Sequence, residues 1–252
     1  MKPIMQIVLI ALLVGVATGQ EKAVPFKVKS PKQAASLLTS KHAHLRAAAA
    51  RALHLREPWE QGKLCVKYDA VTVSRPALEA GRRTALLTAG ASDCDVAFLV
   101  FFVAKKDRWI PAGTVPLSTR YGSPKYRVRS LIRPGESEIV ISGQTVDSGT
   151  GIRQRNLTIL KLVGDSMRVV FDQPESLNHS IPAVIDGEKT NTSDVQASLF
   201  FFVNSEPGVP GRKCIVESRE QHVRGHAVRL YRKYVWNPDL SIFRMYGEGP
   251  PH

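Results

Sequence analysis

From Lys63 to the C-terminus the chain never sustains a helical period. Short runs rich in β-branched and aromatic residues recur instead: Leu64–Asp69, Ala70–Ser74, Thr84–Thr88, Asp95–Ala104, Trp109–Val115, Tyr126–Ile132, Glu138–Gly143, Arg155–Val163, Met167–Asp172, Val195–Asn204, Lys213–Glu217, Ala227–Trp236 and Leu240–Met245. Turn-forming residues punctuate them, as in Arg133-Pro134-Gly135, Gly164-Asp165-Ser166, Pro207-Gly208-Val209-Pro210-Gly211 and Asn237-Pro238-Asp239. Parallel neighbours need long, usually helical, crossovers, and no such segment separates the runs. The fold class expected is therefore mainly β, built of antiparallel sheets. At 43% hydrophobic residues in 252, the chain is apolar enough to build a core and too apolar for a disordered polyelectrolyte.

Ahead of the β region lies a different pattern. Ser30-Pro31 offers an N-cap followed by a residue suited to the first helical turn. No Gly or Pro interrupts Ala34–Leu55, and Leu37, Leu38, Leu45, Ala49 and Leu53 recur along it. A break at Thr39-Ser40, with Ser40 as cap of a second helix, predicts a short α-helical hairpin over 30–56. The wording from Leu37 to Leu53, with Arg46, Ala49, Ala50 and Leu53, resembles a single HEAT-type helical repeat within residues 34–55. Such units stack on copies of themselves, and no second copy follows, so this one is expected to lie against the β region or to serve as a docking helix pair.

At the N-terminus Lys2 precedes an apolar run from Ile4 to Val16, and the small residues Ala17 and Gly19 follow. This reads as a secretory signal peptide of bacterial style, cleaved near Gly19; the run is too short to span a bilayer. The expected organisation is a signal peptide at 1–19, a linker at 20–29, the helical hairpin at 30–56 and an antiparallel β domain at 57–252. The mature chain is expected to be secreted or periplasmic, with no transmembrane segment. Export places Cys65, Cys94 and Cys214 in an oxidising compartment, where one pair closes and one thiol remains. Cys65 and Cys94 lie on neighbouring runs of one region and are the favoured pair, leaving Cys214 free.

Two internal similarities suggest related β units at about 95–172 and 195–246. Ala97-Phe98-Leu99-Val100-Phe101-Phe102-Val103 matches Ala197-Ser198-Leu199-Phe200-Phe201-Phe202-Val203, and Leu162–Val170 matches Val235–Phe243. The stretch 134–171, with Ser137-Glu138-Ile139-Val140-Ile141-Ser142-Gly143 and Ser148-Gly149-Thr150-Gly151, resembles a blade of FG-GAP, integrin-type propellers. It lacks that family's Asp-x-Asp-x-Asp-Gly loop, so the resemblance implies no calcium site. Thirteen runs make at most about three four-stranded blades, too few for a closed ring, which leaves a sandwich or an open, partly duplicated sheet stack as the expected arrangement.

Signatures of catalysis are missing. The sequence contains no His-Glu-x-x-His, Gly-x-Ser-x-Gly, phosphate-binding loop or Cys-x-x-Cys. His42, His44 and His54 read as surface histidines, and His222 and His226 flank Gly225, so neither a metal nor a cofactor is expected. Glu136 with Glu138 and Asp239 with Glu248 are carboxylate pairs of the kind glycosidic chemistry uses, and only their separations decide whether they can act together.

The charge gives the remaining direction. With 35 Lys and Arg against 22 Asp and Glu the net charge is +13. Arg127, Arg129 and Arg133 alternate along one run and Arg153 with Arg155 along another, predicting a cationic patch if neighbouring strands align them. Nucleic acid is not expected outside the cytoplasm. The function expected is an exported, non-enzymatic binding or structural protein that meets an anionic cell-envelope polymer or a protein partner through these strands. The alternative is a secreted hydrolase of unfamiliar type.

Overall fold

The computed structural model describes residues 28–57, 62–119, 124–147, 152–185, 188–223 and 226–249. The expected signal peptide, most of the linker after it and the Ser148-Gly149-Thr150-Gly151 stretch lie outside these residues.

The helical hairpin consists of α1 (Pro31–Leu38) and α2 (Ala43–Ala52). Ser30 caps α1, its Oγ accepting from the Gln33 N–H at 3.1 Å, and Pro31 occupies the first helical position. Ser40 does not cap α2; its Oγ accepts from His42 N–H at 3.2 Å, and His42 stands at the N-cap in extended conformation. The second helix ends at Ala52, short of the hairpin's expected end at 56, because His54 enters the left-handed region at φ 56°. Arg46 ties the turn to the β region: Nε donates to Val66 O at 2.8 Å and Nη1 to Ser40 O at 2.6 Å.

Twelve strands follow among the described residues, all in antiparallel succession. β1 (Tyr68–Ser74), β2 (Thr84–Ala91), β3 (Val96–Lys105) and β4 (Arg108–Ser118) form a four-stranded meander. β5 (Lys125–Arg129), β6 (Glu138–Asp147), β7 (Ile152–Val163), β8 (Ser166–Ile185), β9 (Glu188–Asn204), β10 (Lys213–Val223), β11 (His226–Asn237) and β12 (Ile242–Gly249) form an eight-stranded one, also in chain order.

Layering follows from the period-2 alternation of strand side chains. In β3 the even positions Val96, Phe98, Val100 and Phe102 join Ala85, Leu87 and Ala89 of β2 under the helices, packing on Ala34, Leu38, Ala49, Ala50 and Leu53. The odd positions Leu99, Phe101 and Val103 face the other way, onto Ile139 and Ile141 of β6 and Leu160 and Leu162 of β7. The unbroken apolar run of β3 is thus the signature of a strand covered on both faces. The register agrees, since Leu86 opposes Phe101 and Ile139 opposes Leu160.

The eight-stranded sheet then folds back on itself. Val140, Ile159 and Phe171 on its first half meet Ile215, Tyr234, Trp236 and Phe243 on its second. Phe171 sits edge-on to Phe200, Tyr234 and Phe243 at centroid distances of 5.8, 5.0 and 6.2 Å. Backbone bonds fix the closure, the N–H groups of Arg212 and Lys213 donating to Ile132 O and Leu131 O at 2.8 and 2.7 Å. The molecule is mainly β with a short helical hairpin, the helices on one face of the four-stranded sheet and the folded eight-stranded sheet on the other.

Further features were not visible in the sequence. Residues 173–185 and 188–194 continue β8 and β9 as one ladder from Ser176↔Ala197 to Ile185↔Glu188. That stretch carries Pro182 and many Asn, Ser and Asp residues, which read as loop; an arm extending from an anchored hairpin pairs through its backbone and needs no apolar alternation. The four-stranded sheet ends at Ser118 and the eight-stranded sheet begins at Lys125. The matching runs 97–103 and 197–203 occupy unlike positions, the first buried on both faces in β3, the second half-exposed in β9.

Candidate functional site

β5 is the terminal strand of the eight-stranded sheet, pairing among the described residues with β6 alone, from Lys125↔Ser142 to Arg129↔Glu138, and all five of its residues are exposed. Lys125, Arg127 and Arg129 lie on one face, and Tyr126 and Val128, 38% and 41% exposed, lie on the other. Among the described residues none of the three cations has an acidic partner. Arg129 stands opposite Glu138, but that carboxylate is fully buried and engaged elsewhere, accepting from Leu131 N–H at 2.8 Å and Lys161 Nζ at 3.2 Å.

The other expected basic residues are distributed differently. Arg155 is exposed on β7, two strands from β5, and opposes Thr145 and Ser176 beyond the irregularity between Ile141 and Gln144. Arg153 lies on the β7 backbone opposite Asp147 and Asn178, and its side chain is outside the description. Arg133 follows β5 in the connection to β6, 4.0 Å from Glu136. The structure therefore unites Arg127 with Arg129, adds Lys125 to their row, and leaves Arg133 and Arg155 apart from it. Lys125 was missed because the sequence run was started at Tyr126; the period-2 count back from Arg127 contained it.

Beside Arg133 a cleft of about 180 Å³ is lined by Glu79, Glu136, Lys161, Trp236 and Ser241, among others. Its titratable groups are engaged: Glu79 with Arg82 at 2.7 Å, and Glu136 with Lys161 and Arg133. Lys161 Nζ lies 2.7 Å from Glu136 and 3.2 Å from Glu138, so the first carboxylate pair clamps a lysine. In the second pair, Glu248 is held by Arg232 at 2.9 Å, while Asp239 lies in the turn between β11 and β12. The other fully buried carboxylate, Glu217, accepts from Ser198 Oγ, Arg219 Nε and Tyr234 Oη, each at 2.7 Å. Burial, reinforced by that bond to Glu217, pushes the Tyr234 hydroxyl up to about 12.

The disulfide region offers no metal site. Cys65 and Cys94 are joined, with Cα atoms 5.9 Å apart, and Cys214 is buried and unbridged. Cys65, Asp93 and Cys94 make the one group of three metal-type ligands within 4.8 Å among the described residues. Both sulfurs are spent in the bridge, and Asp93 accepts from Val66 N–H at 3.0 Å and Lys67 N–H at 3.2 Å. His42 and His44 do come together, their rings 5.7 Å apart, because His42 precedes the helix and escapes its 100° rotation per residue.

A second surface stands out. The face of the eight-stranded sheet that the four-stranded sheet covers at β6 and β7 continues over β9, where Leu199, Phe201 and Val203 are 65%, 50% and 40% exposed. No family model, no curated protein and no solved structure matches this chain.

Proposed function

We propose that this is an exported, non-enzymatic binding protein whose cationic sheet edge, Lys125, Arg127 and Arg129, holds an anionic partner in the cell envelope. The observation that carries the reading is the row itself: three cations on one face of an exposed terminal strand, unpaired among the described residues, in a chain with a pI near 9.9. Other cations are neutralised within the fold. Arg82 and Lys105 enclose Asp165 at 2.6 and 2.9 Å, Lys233 meets Glu206 at 2.5 Å, and Arg229 meets Glu220 at 2.9 Å. Cations so paired are cancelled within the fold, whereas those of β5 remain available to another molecule.

The engagement of Glu136, Glu138 and Glu217 in fixed bonds supports a binding role over a hydrolytic one, since a general acid or base has to exchange its proton with substrate. Export rests on the N-terminal sequence, and a fractionation of tagged protein tests it directly. For binding, the purified mature chain is titrated with lipopolysaccharide vesicles, peptidoglycan sacculi and polyglutamate at several salt concentrations. Binding that weakens as salt rises, and that the Arg127→Glu/Arg129→Glu variant loses, supports the reading. Absence of binding to every anionic fraction, or undiminished binding by that variant, refutes it.

A further inference from the structure

We propose that β5 takes up an extended protein segment as an added strand, one whose side chains alternate between acidic and apolar. The inference rests on the reading of Lys125, Arg127 and Arg129 as an anion-binding row and specifies what the anion is carried on.

Three observations lead to it. Among the described residues β5 has a strand neighbour on one side only, so its other side offers backbone N–H and C=O groups to which a strand can add. Its cations recur every second residue, which on a strand places them about 6.8 Å apart, the repeat of same-face side chains on any other extended chain. Its opposite face carries Tyr126 and Val128, exposed and apolar, which an added strand covers with its own alternate residues.

Charge decides between the occupants. A second copy adding β5 to β5 sets three cations against three, and like charges directly opposed destabilise a sheet. A polysaccharide or polyphosphate neutralises the row but leaves the strand backbone and the Tyr126–Val128 face unused. An acidic and apolar alternating segment answers all three features at once, its carboxylates facing Lys125, Arg127 and Arg129.

The test uses the mature protein and a fluorescein-labelled peptide of strictly alternating Glu and Val. Comparison probes are a peptide of the same composition with the order shuffled, the alternating peptide N-methylated on every second residue, and polyglutamate. Anisotropy gives affinity, and hydrogen exchange reads the amides of residues 125–129. The alternating peptide is expected to bind at least about tenfold tighter than the shuffled and N-methylated ones and to slow exchange in β5. The Arg127→Glu/Arg129→Glu variant, with circular dichroism and urea midpoint as controls for folding, is expected to lose that binding and to gain affinity for an alternating Lys and Val peptide. Equal binding of all four anionic probes without protection of β5 overturns strand addition while leaving the anion-binding row intact. Absence of binding by any anionic probe overturns both.

Discussion

Phe101 and Phe201 stand at equivalent places in two matching seven-residue runs, yet the fold gives them opposite environments, and their truncation tests the layering. Phe101 is fully buried in β3 between Leu86 of β2 and Gly113 of β4, with β6 and β7 beyond. Phe101→Ala removes the transfer energy of the ring and leaves a cavity between two sheets that cannot collapse, at a cost of about 3–5 kcal/mol. Phe201 keeps half its surface in solvent on β9, opposite Val216. Full burial of such a ring contributes about 1.5–3 kcal/mol, so half of it makes Phe201→Ala worth about 1 kcal/mol, with no cavity term because water fills the space.

Urea unfolding followed by far-ultraviolet circular dichroism reads the difference, with the disulfide intact and the slope on denaturant checked for constancy. In melting temperature the two variants are expected to fall by roughly 6–20 °C and roughly 2–4 °C, at about 2–4 °C per kcal/mol for a chain of this size. Equal costs would refute the reasoning. They would mean that the face of β9 bearing Leu199, Phe201 and Val203 is covered in solution, or that the four-stranded sheet is not enclosed on both sides.

Other consequences follow from single contacts. Cys65→Ala/Cys94→Ala opens a loop with a sequence separation of 29, which costs about 3.5 kcal/mol in chain entropy and lowers the urea midpoint relative to the oxidised parent. Glu138→Ala leaves the Leu131 N–H without its acceptor and Lys161 with Glu136 alone; a loss of about 3 kcal/mol or more is expected, against near-constancy for Arg155→Ala on the surface. Tyr234 has its ionisation raised to about 12 in the fold from an ordinary value near 10. Its contribution is complete below pH 10 and disappears as the pH climbs through 12, so the drop in urea midpoint over that window is expected to be smaller in Tyr234→Phe. Gly211→Ala sets a Cβ at 2.8 Å from the Trp236 Cβ at a φ of 91°, and a loss of about 1–3 kcal/mol in the same assay is expected.

The fold was legible where apolar alternation accompanies turn chemistry. β2, β3, β7 and β11 sit where the runs and their Gly, Pro and Asn boundaries place them, because burying one or two faces of a sheet leaves that imprint. The distal parts of β8 and β9 were not legible, since backbone pairing alone has no composition. Nor could the strand pattern decide how the sheets stack. The similarity of 97–103 to 197–203 encodes strand formation in both places, while the covering of both faces in one and of a single face in the other depends on distant residues such as Ala49 and Ile139. At the site, alternation identified Arg127 and Arg129 as one row. It could not show how Arg155 aligns with that row, because β6 lies between and its register against β7 shifts between Ile141 and Gln144.

The arithmetic of charge becomes local in the fold. Among the described residues eight acidic side chains, Glu79, Glu136, Glu138, Asp165, Glu206, Glu217, Glu220 and Glu248, are taken up in ion pairs, two of them with no exposure at all. Carboxylates committed to Lys161, Arg219 or Arg232 cannot neutralise a cation elsewhere, so a strand whose neighbour is apolar or already paired keeps its positive charge. β5 is such a strand, its partner β6 offering Ile139, Val140 and Ile141 and the engaged Glu138. Moving one carboxylate onto it therefore has a definite outcome. Val128→Glu sets an acid between Arg127 and Arg129 but on the opposite face, and is expected to spare anion binding while weakening an alternating Glu and Val peptide. Thr145→Glu, opposite Arg155 on β7, is expected to alter neither; a loss of peptide binding in Thr145→Glu would show that the row extends across three strands rather than along one edge.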